Sequence, residues 1–399
     1  MKKIYYILAL TSVASLFLSC SKSDPEVKED IPLSSIELPA QTKGLVSGGN
    51  LFGYKLLKEV VEQEDESFMI SPLSLIYAVG IAAELPDRYR DDTPSALIGQ
   101  ILGNEGASRD DLRSYCSVLS KKLPVLSNLV DLCMANILVY DSDAGSIDSS
   151  TKDAVLKNYD ASIENVSFGK RKKVVELVNN WSSKKTNGMV KNVLSEFDVR
   201  VENNPIYANA SYFKGEWKYP FEKGKTKKHP FTKEDGEIIT VDMMSLEPDL
   251  SDYIKHCWAH QEFEAVQLPY GNRAFNMTIY LPMEGYTVAD VAAILARGSS
   301  IKWSNIPPRS IEMPRFSLKE SKVNLTGPLS KICPGSIPMY KQISSIRVDE
   351  SGTEAAVVTI PDMLIAPSIP QPFKADHPFI FTITEQSTGV VLYAGVYRG

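Results

Sequence analysis

The stretch that most constrains what this chain can fold into lies near its C-terminus, where residues 350–379 read ESGTEAAVVTIPDMLIAPSIPQPFKADHPF. Residues 353–360 are small, then β-branched, and nothing in them stops strand pairing. Pro361, Pro367, Pro370 and Pro372, by contrast, each remove a backbone donor and fix φ. Met363, Leu364, Ile365 and Ala366 are held between those prolines. An apolar run in that setting is poor core material. It reads as an exposed, extended loop that presents side chains to a partner, with an ordinary long surface loop as the alternative.

Upstream the chain carries helical signals. Asn50 follows Gly48 and Gly49 and suits a helix cap, with Tyr54, Leu57, Val60 and Val61 on one face. Ser71 and Pro72 open an apolar segment that reads as a buried helix over residues 75–83, and the charged residues 84–94 read as a loop. Val174, Leu177, Val178 and Trp181 recur at helical spacing, with Gly188 suited to the helix end. Later, Met277, Ile279 and Leu281 alternate with Asn276, Thr278 and Tyr280, and residues 379–383 and 390–397 are strand-like runs around a turn at 387–389. Helices early and strands late predict an α+β fold with large antiparallel sheets. Without an internal linker or repeat, one domain is the simpler reading. The 43% hydrophobic content of the 399 residues supplies a core, and the formal net charge of −6 offers no basic field for nucleic acid.

The N-terminus is an export signal: Lys2 and Lys3, an apolar run over residues 4–18, then Ser19 and Cys20. The run is shorter than a membrane span needs. A small residue directly before a cysteine resembles a bacterial lipobox, which implies cleavage before Cys20 and lipidation there. The polar, acidic residues that follow read as a tether and resemble the surface-export signal of some outer-membrane lipoproteins; a periplasmic face is the alternative. The expected organisation is a signal peptide at 1–19, a lipidated tether at 20–47 and a globular domain at 48–399. Cys116, Cys133, Cys257 and Cys333 make no zinc or redox spacing and read as buried thiols.

Enzyme signals are weak. There is no G-x-S-x-G elbow, and Ser182, Ser183, Lys184 and Lys185 match S-x-x-K only as a solvated helix end. His256 and His260 could share a face as metal ligands, but the following Phe263, Ala265 and Gln267 suggest a strand and no acid completes a ligand set, so they read as structural histidines. Neither a catalytic residue nor a metal or cofactor is expected.

Four ordered blocks then resemble the serpin family. They are Asn209 and Ala210 followed by Tyr212, Phe213, Lys214, Gly215, Trp217, Phe221, Thr226, Phe231 and residues 241–244; residues 268–270 with the strand at 277–282; Glu350, Gly352, Thr353, Glu354, Ala355 and Ala356; and His377, Pro378 and Phe379 with Gly395. The likeness covers nearly all of the chain after the tether. It implies the serpin fold and a reactive-centre loop that a target protease cuts, forming an acyl-enzyme. The freed hinge then enters the main sheet and the trapped protease is distorted.

On that resemblance the hinge is Glu350, Gly352, Thr353, Glu354, Ala355 and Ala356, and the scissile region is Leu364, Ile365, Ala366 and Pro367. Arg315 is expected to meet Glu350. Ser71, Ser74 and Asn209 fall where the family has a hydrogen-bonded cluster, with Gln342 in place of the usual histidine. Trp217, in the family's central signature, belongs to the same support of the sheet opening. Thr353, Ala355, Val357 and Thr359 suit an interior strand face, whereas Pro361 would forfeit one ladder bond, at ~1 kcal/mol or more. Counting from Gly352 puts Ala366 before the cut, and counting back from Phe379 puts Pro367 there. Cleavage at Ile365–Ala366 or Leu364–Ile365 is physically easier. The expected partners are serine proteases with aliphatic pockets, with papain-like cysteine proteases open, and the chain is expected to be monomeric. The alternative function is that of a non-inhibitory binding or chaperone module.

Overall fold

The computed structural model describes residues 30–86, 98–99, 101–103, 106–200, 205–247, 253–258, 260–304, 306–332, 340–351 and 371–399. Three sheets organise these residues. A six-stranded antiparallel sheet runs β1 (Phe68–Ile70), β15 (Val391–Tyr397), β14 (Phe379–Glu385), β9 (Phe275–Pro282), β8 (Phe263–Tyr270) and β7 (Lys255–Cys257). A five-stranded mixed sheet runs β11 (Phe316–Lys322), β12 (Tyr340–Val348), β4 (Ile206–Gly215), β2 (Val130–Asp141) and β3 (Ala161–Val166). A smaller sheet runs β13 (Phe373–Lys374), β10 (Ile311–Pro314), β6 (Ile238–Leu246) and β5 (Lys227–Thr232). The expected strands at 277–282, 379–383 and 390–397 are β9, β14 and β15.

Helix α2 (Pro72–Glu84) is buried at every position and contacts β15 as well as β2 and β4. Ser71 caps it by accepting from the Ser74 N–H at 3.2 Å, and Pro72 occupies the first turn, where no N–H is needed. The other face of the five-stranded sheet is covered by the helix Arg171–Lys185, whose Val174 and Val178 pack with Ile137, Val139, Ile206, Ala208, Ala210 and Ile343. Gly188 follows that helix at φ +78°, and its N–H donates to the Ser183 carbonyl at 2.8 Å. The five-stranded sheet is therefore packed on both sides. Among the described residues no helix is long and apolar enough to cross a membrane.

Three local expectations are corrected. Asn50 is no cap: helix α1 (Lys43–Val61) starts earlier, and Asn50 reaches sideways from it to donate to the Gly389 carbonyl and accept from the Val391 N–H. From Asp30 onward the chain is packed, where a tether was expected to run to residue 47. Ile36 and Leu38 are buried in the main core and residues 43–47 are already helical, because apolar groups here find the helix-packed body within reach. Glu84 belongs to the buried end of α2 and not to a loop, since Arg113 neutralises its carboxylate at 2.5 Å and the Tyr159 hydroxyl donates to it at 3.0 Å.

Candidate functional site

β12 and β4 are hydrogen-bonded neighbours running parallel, in register from Tyr340 opposite Tyr207 to Ile346 opposite Phe213. β12 leads through Asp349 and Glu350 to Ser351, beyond which residues 352–370 lie outside the described residues. The expected hinge residues Gly352, Thr353, Glu354, Ala355 and Ala356, with Leu364, Ile365, Ala366 and Pro367, all fall there, as does Cys20 in the undescribed N-terminal stretch. The ends of that loop are defined: Ser351 leaves from the end of β12, and Gln371 enters the chain leading to β13. A segment that reversed after Ser351 and entered the seam would run antiparallel to both β12 and β4. Parallel ladders are slightly weaker per residue than antiparallel ones, so the seam is a favourable place for exchange.

The end of the seam nearest the loop is closed by charge. Arg315, immediately after β10, pairs with the Glu350 carboxylate, which also accepts from the Thr226 hydroxyl at 2.5 Å. The Glu350 side chain is only 5% exposed. Burial pushes its carboxyl up, but the bonds from Arg315 and Thr226 outweigh that and hold it below the usual carboxylate range. Arg315 is held in place by its own N–H, which donates to the Asp242 carbonyl at 2.8 Å. Beside it the Trp217 indole N–H donates to the Asp349 carbonyl at 2.9 Å while the ring stacks on Tyr270, with centroids 4.2 Å apart. Trp217 thus fixes the backbone one residue before Glu350.

The middle of the seam is closed by neutral polar groups. The Ser71 N–H donates to Gln342 Oε1 at 2.7 Å, and Gln342 Nε2 donates to the Ser71 carbonyl and to the Tyr340 hydroxyl, each at 2.9 Å. The Ser71 and Ser74 hydroxyls lie 2.9 Å apart. Asn209 sits opposite Gln342 in the register, but its Nδ2 turns away to the Ala135 carbonyl and Asn136 Oδ1. Asn209 Oδ1 is left buried without a partner among the described residues. The structure therefore unites Ser71, Ser74 and Gln342 and holds Asn209 beside them, one strand over. One step along, the Ser211 and Ser344 hydroxyls meet across the seam at 3.0 Å. That pair, with Thr226 and Tyr340, was given no role from the sequence, although Thr226 lies in a quoted block.

The weak enzyme signals resolve as structure. Ser182 is buried and its hydroxyl donates to the Val190 carbonyl, so the S-x-x-K pattern is a helix-to-loop fastening. His256, on β7, meets Glu264 at 2.5 Å, and His260 meets Glu262 at 2.7 Å. The two histidines thus have separate acidic partners, and no group of metal-ligating side chains forms among the described residues. Cys116 and Cys257 are buried free thiols, while Cys133 is only half-buried, bonded to the Lys185 carbonyl and pushed up to about 11 chiefly by burial.

The comparisons agree with this architecture. The family model described as Serpin (serine protease inhibitor) matches residues 47–398. Serpin-Z1 of Arabidopsis thaliana is 33% identical over 55% of this chain, and Iripin-8 of Ixodes ricinus is 28% identical over 91% of this chain and 95% of its own. The alignments with Serpin-Z1 and Serpin-Z2 span only 59% and 62% of those two relatives. A probable non-inhibitory serpin-Z5 from the same plant is 30% identical over 83% of this chain and 78% of its own. In fold, the chain is similar to Arabidopsis AtSerpin1 in its native stressed conformation, with a TM-score of 0.78 at 24% identity, covering 90% of this chain and 98% of that one. Thermophilic tengpin in its native state gives a TM-score of 0.71 at 22% identity, covering 93% and 97%. With the family model matched over residues 47–398, almost the whole of the packed body, this chain belongs to the serpin family.

Proposed function

We propose that the protein inhibits serine proteases as a suicide substrate. The observation that carries this reading is the uninterrupted parallel seam between β12 and β4, continuous through Ser351 with residues 352–370. A protease takes residues 364–367 as substrate. Its serine oxygen attacks the carbonyl carbon before the cut, the amine of the next residue leaves with a proton, and an ester joins protease to loop. The freed arm enters the seam as a sixth strand, exchanging one parallel ladder for two antiparallel ones, and the protease is carried off and distorted before water reaches the ester. The closed sheet is then a metastable state protected by a barrier. With no Arg or Lys between Met363 and Ser368, trypsin-like enzymes are disfavoured and elastase-like or subtilisin-like enzymes, or papain-like cysteine proteases, are the targets.

A second reading, a non-inhibitory binding or chaperone module, is favoured by Pro361 and by the likeness to the probable non-inhibitory serpin-Z5. Mixing the protein with elastase and running a denaturing gel separates the two. Inhibition gives a covalent band at the summed mass. Cleavage products alone, across elastase, subtilisin and a papain-like enzyme, sink it.

The proposal extends to the N-terminus. The chain is exported, cut before Cys20 and lipid-anchored to a bacterial outer membrane with the domain at the cell surface, in keeping with the signal-like run and Ser19–Cys20. Mass spectrometry of the N-terminal peptide tests the acylation. Protease shaving of intact cells tests the face.

A further inference from the structure

Asp30 is the first described residue, and its carboxylate is a clasp between distant segments. Oδ1 accepts from the Asn128 N–H at 2.8 Å and from the Ile31 N–H at 2.8 Å; Oδ2 accepts from the Ser127 hydroxyl at 2.7 Å and the Asn272 N–H at 2.6 Å. The Asn272 amide returns bonds to the Ile31 and Leu126 carbonyls. Gly271 leaves the room: its φ is +43°, and a Cβ there would lie 2.5 Å from Asp30 Oδ2.

The clasp sits at the pole from which the loop leaves. Val130, just after Asn128, is opposite Gly215 at the end of β4, and Gly271 follows Tyr270, on which Trp217 stacks while holding Asp349. From Cys20 to Asp30 there are ten peptide steps, about 35 Å when fully extended. From the clasp to the far end of the 12-residue β2 is about 40 Å at the rise of a strand. The tether is too short to let that far pole stand on the membrane.

We infer that the Asp30 clasp turns the loop-bearing pole of the domain toward the anchoring lipid surface, so that the loop is offered within a gap no deeper than the clasped tether. This rests on lipidation at Cys20. A protease domain of about 230 residues is roughly 45 Å across, more than the gap. Small or membrane-seated proteases are therefore the targets favoured on the cell. Releasing Asp30 lengthens the free arm to Ile36, the next buried residue, and adds six steps, or about 20 Å.

The test anchors the chain from Cys20 onward to phosphatidylcholine vesicles by ligating its N-terminal cysteine to a thioester lipid, which makes the result independent of whether cells acylate it. A donor fluorophore is placed at exposed position 218, beside Trp217, or at exposed position 144, beyond the far end of β2, with acceptors on the headgroups. Transfer several-fold stronger from 218 than from 144 is expected, falling toward equality in Asp30→Ala and Asp30→Asn. Equal or reversed transfer in the parent chain overturns the inference, as does a ratio unchanged in both variants. Elastase trapping is expected to be several-fold slower on vesicles than in solution and to recover in the variants, whose trapping in solution stays at the parent rate. Absence of acyl mass on the Cys20 peptide from cells counts against the lipidation reading alone.

Discussion

The two large sheets differ along one line of each. In the six-stranded sheet, β9, β14 and β15 bring Ile279, Phe381 and Gly395 into one line, and Phe316 packs its ring against Phe381, Phe379 and Tyr397. Gly395 is required there, since a Cβ would lie 2.3 Å from the Phe68 carbonyl oxygen. In the five-stranded sheet, the β12–β4 seam buries Asn209, Ser211, Gln342, Ser344 and Ser345. Aromatic interlock is lost only by opening a cavity, whereas small hydroxyls and amides exchange partners with little change in volume. One sheet is suited to staying shut and the other to parting along one line.

The largest expected effect breaks the fixed side. Phe381→Ala is expected to destabilise the domain by about 3–5 kcal/mol, read as a lower denaturant midpoint. At matched stability it leaves the rate at which a peptide copying residues 353–360 enters the seam unchanged. Next, Gln342→Ala strands the buried Ser71 N–H and leaves the Ser71 carbonyl with the Leu75 N–H alone, at about 1–3 kcal/mol, and speeds peptide entry. An unchanged entry rate would remove Gln342 from the closure.

Glu350→Gln weakens the charged end by about 1–2 kcal/mol, toward the low side because Arg315 can rehydrate. The pH dependence has a defined sign. The folded Glu350 carboxyl is depressed, so its contribution is complete above the unfolded value near ~4.3 and fades as pH falls through the lower folded value. Peptide entry should therefore be faster in Glu350→Gln at neutral pH and converge on the parent rate only as pH falls through the depressed folded value of Glu350. The smallest effect is expected for Ser211→Ala with Ser344→Ala. Each single change costs about 1 kcal/mol and the pair together costs less than the sum, measured by a double-mutant cycle.

What could be read from the sequence followed the range of the signal. Helix α2 announced itself through Ser71, Pro72 and its apolar run, and β14 with β15 through a local turn. The Arg315–Glu350 pair was reached only through family resemblance, because its partners are 35 positions apart with no periodicity linking them. Asp30 and Asn50 were misread for the same reason: their distant partners lie 97 to 242 and more than 330 positions away, and a lone polar side chain carries no mark of them. The parallel β12–β4 seam leaves no pattern in either strand alone. Whether Ser211 and Ser344 face one another is a matter of register, which the fold alone fixes.

The seam presents the same two strand edges to any extended segment, whether it belongs to the same molecule or to a neighbour. The chain's own loop has the advantage of attachment, which acts as an effective concentration in the millimolar range for a short connection. Scattered molecules in solution cannot compete with that. Molecules confined to a membrane are brought much nearer to it, so on the proposed lipid anchor crowding, and not only affinity for a protease, would set how long each copy keeps its seam free of a neighbour's segment.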